Sequence, residues 1–81
     1  MPKIPRDVSG RQLVQLLKRY GYTVTRQTAS HVRLTSRSKG SEHHITIPDH
    51  QSIKIGTLNS VLNDLATYQG KSKAEIIKDL F

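Results

Sequence analysis

Four histidines, six carboxylates and thirteen lysines and arginines are the groups in this 81-residue sequence able to move protons or hold charge. Cysteine is absent, which removes thiol nucleophiles, Cys-ligated zinc and disulfides together. The carboxylates form no close pair by spacing: Asp64 and Asp79 fall on polar sides of expected helices, Asp7 and Asp49 in connections, and Glu75 at a helix cap. His43, His44 and His50 read as strand-end and loop histidines in solvent. Neighbours along a strand point to opposite faces, so His43 and His44 cannot easily share one metal ion. His31 differs from these three. It opens an expected strand with Ser30 beside it and Arg26 and Arg33 nearby, so a side chain of the type that titrates near neutral pH sits in a cationic surface. Replacing His43 or His50 is expected to matter less than replacing His31.

The charge points to the class of partner. Thirteen cations against six anions leave a formal +7 at pH 7, which attracts an anion, and phosphate contact is the sharper reading of so large a surplus. Aromatic residues make up 5% of the chain, too few for a stacking platform on an exposed sheet face. No apolar run approaches the roughly 20 residues needed to span a bilayer. The N-terminal stretch Met1-Pro2-Lys3-Ile4-Pro5-Arg6 lacks the apolar core of a secretory signal, so a cytoplasmic location is expected. No metal and no cofactor is expected either.

These groups need a frame, and the periodicity supplies one. Ser9 and Gln12 have capping-box spacing, and Leu13, Leu16, Leu17 and Tyr20 make one helical stripe that Gly21 ends. From Tyr22 the pattern alternates, with Tyr22 and Val24 pointing one way and Thr23 and Thr25 the other. A second strand is expected from His31 to Thr35 with Val32 and Leu34 inward. A third runs from His43 or His44 to Ile47, with Ile45 and Ile47 inward, and Pro48 ends it. Leu58, Val61, Leu62 and Leu65 mark a second helix beginning at Gly56 and Thr57 and closing at Gly70. A Ser72–Glu75 capping box then opens a short helix carrying Ile76, Ile77 and Leu80.

The expected fold is therefore α+β, a single domain over residues 1–81: α-β-β-β-α with a three-stranded antiparallel sheet, helices on one face, and an extra short C-terminal helix. Without a bulge, strand alternation leaves Thr23, Thr25, His31, Arg33, Thr35, His44 and Thr46 on the solvent face.

Within that frame four pieces occur in order: Gly21-Tyr22 followed by Arg26, then Ala29-Ser30-His31, Pro48-Asp49-His50 and Gly56-Thr57-Leu58. In this the chain resembles the HicA family of toxins, the small mRNA interferases of type II toxin–antitoxin systems, over nearly its whole length. Ala29 stands where that family usually has glycine. The resemblance implies a double-stranded-RNA-binding-like fold, metal-independent cleavage of mRNA with His31 at the position of a single catalytic histidine, and neutralisation by a HicB-type antitoxin. Arg26, Ser30, Arg33 and Lys39 are the accompanying candidates for RNA contact. The free protein is expected to be a monomer, and its complex with antitoxin a hetero-oligomer.

Two other readings stay open. A non-catalytic double-stranded-RNA-binding module has the same element order, although such modules usually carry a lysine cluster at the start of their second helix, where this chain has Lys54 and then Thr57, Asn59 and Ser60. An inactive toxin homologue that only binds its antitoxin is the third.

Overall fold

The computed structural model describes residues 4–81, so the first three residues of the stretch read above for a secretory signal lie outside the described residues. Helix α1 spans Gly10–Leu17 and runs on as a tight 3-10 turn over Lys18–Tyr20. Strands β1 (Thr23–Gln27), β2 (His31–Ser36) and β3 (His43–Pro48) follow, then α2 (Ile55–Gln69) and α3 (Lys73–Leu80). The strands form one antiparallel sheet in the order β1-β2-β3, as expected of a meander.

Ser9 starts α1 by accepting the Gln12 backbone N–H at 3.0 Å; only this half of the expected capping box forms. Both halves form at α3, where Ser72 and Glu75 bond each other's backbone. Gly21 and Gly70 end their helical segments with φ of +79° and +67°, conformations that a side chain would make costly. The helices lie on the sheet face carrying Val32, Leu34, Ile45 and Ile47. Leu13 and Leu17 of α1 and Leu58, Leu62 and Leu65 of α2 are completely buried against it. Each such side chain contributes about 1.5–3 kcal/mol. Ile76, Ile77 and Leu80 bury the inner side of α3 in the same core.

Three expectations fail locally. Strict alternation breaks in β1: Thr23 pairs with Thr35 and Val24 with Leu34, but Arg26 pairs with Arg33, leaving Thr25 as the extra residue of a β-bulge. One inserted residue reverses the parity of everything after it. Arg26, which would otherwise have followed Tyr22 and Val24 toward the helices, thereby shares the solvent face with Arg33. Val24 keeps its inward parity but lies 42% exposed, because β1 is the edge strand away from the helices, which pack over β3. Thr35, expected in solvent, is 7% exposed. Thr25 and His44 cover it through hydrogen bonds of 2.9 and 2.8 Å to its hydroxyl.

His43 is not a solvent histidine either. It is half-buried, its Nδ1 hydrogen-bonded to the Tyr22 hydroxyl at 2.6 Å and its ring stacked on Tyr68 with centroids 4.6 Å apart. Tyr68 also bonds the backbone of Ser36, Lys39 and Ser41, so α2 holds the β2–β3 hairpin in place.

Candidate active site

His31 is exposed at the first position of β2, presented by a tight turn over Thr28–His31. The Thr28 N–H donates to the His31 carbonyl at 2.9 Å, and the His31 N–H returns a bond to the Thr28 hydroxyl at 3.2 Å. Ala29 sits inside this turn without strain. Among the described residues Asp7 is the sole non-glycine with positive φ, so the position does not demand glycine in this chain.

The imidazole is oriented locally. Its Nδ1 lies 3.0 Å from the Ser30 hydroxyl, and Nε2 makes no hydrogen bond among the described residues. In the tautomer whose Nδ1–H donates to Ser30, Nε2 keeps a free lone pair on this exposed side chain. Arg33 lies two residues along the same sheet face, and the bulge adds Arg26 directly opposite Arg33. Of the residues singled out by sequence, Arg26, Ser30 and Arg33 thus gather around His31. Lys39 does not. It lies in the β2–β3 turn, beyond the far end of β2 and roughly 17 Å of strand away, its backbone N–H bonded to the Tyr68 hydroxyl.

Sequence reasoning gave little weight to the β3–α2 connection, and the fold brings it to His31. His31 pairs with Pro48 across β2 and β3, and the Asp49 N–H donates to the Ser30 carbonyl at 2.9 Å. On the other side the Gly10 N–H donates to the His50 carbonyl at 2.9 Å. The approach is so close that a Cβ at Gly10 would stand 2.3 Å from the Pro48 carbonyl oxygen. His50 is therefore held through its backbone while its side chain is exposed. The result is an open cleft of about 450 Å³ lined by His31, Thr46, Pro48, His50, Lys54 and Thr57. The one signal in the sequence was the Pro48-x-His50 spacing, which does not say that this segment folds beside His31.

A family model for the HicA toxin of bacterial toxin–antitoxin systems matches residues 10–66, from the start of α1 to near the end of α2. The chain belongs to the HicA toxin family. It is the toxin side of a toxin–antitoxin pair, and that family implies an antitoxin partner. No curated protein and no solved structure matches it at a significant level. The matched span of this HicA-family chain contains the whole sheet, His31 with its turn, and every residue lining the cleft; α3 lies outside it. Among the described residues no group of three or more His, Asp or Glu side chains is arranged to hold a metal ion, and no helix is long and apolar enough to cross a membrane.

Proposed function

We propose that this chain is the toxin of a type II system and acts as a cytoplasmic endoribonuclease, an mRNA interferase, with His31 as its catalytic residue. One observation carries the reading: in a HicA-family fold, an exposed histidine oriented by Ser30 borders an open cleft, on a sheet face that also carries Arg26 and Arg33. His31 Nε2 takes the proton of a ribose 2′-hydroxyl, whose oxygen attacks the adjacent phosphorus. A positioned base of this kind supplies about 10²- to 10⁴-fold. Arg26 and Arg33 hold the phosphate and offset the charge that grows on it in the transition state. Lys39 meets the strand further along rather than at the reacting phosphate. Proton transfer by imidazole needs no metal, and none is assigned.

The +7 charge also favours an acidic partner surface. A HicB-type antitoxin that covers His31 and the neighbouring arginines would block RNA and, by binding only the folded chain, stabilise it through mass action. The free toxin is then a monomer and the silenced form a hetero-oligomer. The experiment that tests the function is induced expression of the wild type beside His31→Ala, following growth and RNA integrity together. Growth arrest with RNA degradation only in the wild type is expected; equal arrest by both proteins would refute the assignment.

A further inference from the structure

Cleavage by 2′-hydroxyl attack requires two proton transfers, and the reading above accounts for one. The departing 5′-oxygen must also gain a proton, since an alkoxide is a poor leaving group. Resting on that ribonuclease reading, we infer that His50 is the second proton-transfer group, the acid that protonates the 5′-oxygen.

The cleft carries the inference. Its lining holds three ionisable side chains: His31, His50 and Lys54. In the reading above His31, its Nδ1 bonded to Ser30, takes the 2′-hydroxyl proton. Of the other two, an imidazole is the better donor at neutral pH, while a lysine ammonium serves better as a fixed positive charge beside the phosphate. The placement of His50 is also restrained. Its carbonyl accepts the Gly10 N–H, and the preceding residue, Asp49, donates to Ser30, the residue before His31. Two histidines are thereby held on one short path of backbone hydrogen bonds, with both imidazoles exposed to the same cleft.

The step balances. As the 2′-oxygen forms its bond to phosphorus, its proton passes to His31. As the bond from phosphorus to the 5′-oxygen breaks, the electron pair goes to that oxygen and the His50 imidazolium gives it a proton. The products are a 2′,3′-cyclic phosphate and a 5′-hydroxyl, and the two histidines have exchanged protonation states, which solvent resets.

The test uses an RNA oligonucleotide whose cleavage position has first been mapped, and the same oligonucleotide with sulfur replacing the 5′-oxygen at that linkage. Thiolate leaves without a proton, so loss of the acid should not matter there. His50→Gln is expected to slow cleavage of the all-oxygen RNA by about 10²- to 10⁴-fold and to cut the sulfur-substituted RNA within a few-fold of wild type, which also shows that the variant is folded. His31→Gln should be slow on both. If His50→Gln is equally slow on both substrates, or slow on neither, His50 is not the acid while the ribonuclease reading stands. If Lys54→Ala shows the sulfur rescue instead, Lys54 is the donor and the inference is wrong. A wild type inert toward both RNAs would overturn the ribonuclease reading, and the inference with it.

Discussion

The backbone N–H of Asp49 donates to the carbonyl of Ser30 at 2.9 Å, and this one bond fastens the segment bearing His50 to the turn bearing His31. It continues the antiparallel register one step past the His31–Pro48 pair, where a ladder bond from Pro48 itself is impossible. The side chain of Asp49 faces Arg11 at 3.9 Å, a long and largely exposed contact that adds little. The backbone therefore decides the position of the cleft.

Gly10→Ala tests that arrangement. A Cβ at 2.3 Å from the Pro48 oxygen and 3.1 Å from the Asp49 Cα must displace either α1 or the loop. Overpacking of this kind costs about 1–3 kcal/mol, so the thermal midpoint should fall by several degrees. RNA cleavage by the folded variant should fall as well. Gly56→Ala, at a position where a Cβ meets nothing within 4 Å, is the control and should leave the midpoint unchanged or raise it. Equal melting of the two variants would contradict the close approach.

The bulge at Thr25 sets Arg26 opposite Arg33, and on the proposed reading the two bind phosphate together. Each replacement by alanine should weaken RNA binding regardless of sequence and flatten the log–log salt dependence by about 0.7, the value for one phosphate on a single strand. Had β1 kept strict alternation, Arg26→Ala would leave the slope alone. Titrations at several salt concentrations with two unrelated RNAs separate these outcomes.

His43→Ala should lower stability and spare catalysis. The variant loses the stack on Tyr68 and leaves the buried Tyr22 hydroxyl without its 2.6 Å partner, together costing about 1–3 kcal/mol. The measurement is denaturant unfolding beside cleavage rate at a temperature where the variant is folded. A large rate loss without loss of stability would give His43 a chemical role that this fold does not support.

The elements were legible because their apolar residues recur at helical or strand periods, and the caps at Ser9 and Ser72 and the glycines at 21 and 70 mark ends by local chemistry. The wet, basic setting of His31 followed from the same alternation. What escaped has a common physical origin. The bulge residue, Thr25, stands in a run that also contains Thr23 and Thr28, so composition and spacing do not mark it. The His43 cage draws on Tyr22, before β1, and Tyr68, late in α2, and no local period reports a contact among distant segments. His50 lies in an irregular connection whose place is set by Gly10, forty residues earlier, through backbone groups that every residue possesses. The family motifs did keep Ala29-Ser30-His31 and Pro48-Asp49-His50 in view as separate pieces; the hydrogen bond from Asp49 to Ser30 is what joins them.

Tyr20 gives the fold an alkaline sensitivity. Burial and its hydrogen bond to Asp79 push the phenol up to about 12 from its ordinary value of 10.0, and burial likewise raises Tyr22. The unfolded chain then loses these protons before the folded one does. For Tyr20 the stability contributed is complete below pH 10 and is lost as pH rises through about 12; Tyr22 adds a loss in the same direction. Tyr20→Phe should be less stable than wild type at pH 8, by roughly 1 kcal/mol for the lost hydrogen bond, and should show a shallower decline between pH 10 and 12. Parallel curves for the two proteins would remove Tyr20 as a source of the decline.

The central claim rests on His31, and the most direct measurement is the rate at which purified wild type and His31→Gln cleave an end-labelled RNA in the presence of EDTA, with circular dichroism of both. The account predicts cleavage by the wild type despite the chelator, a loss of at least about 10²-fold in the variant, and the same spectrum and melting for both. A variant that cuts at the wild-type rate, or a wild type that cuts only when a divalent metal is restored, would contradict it.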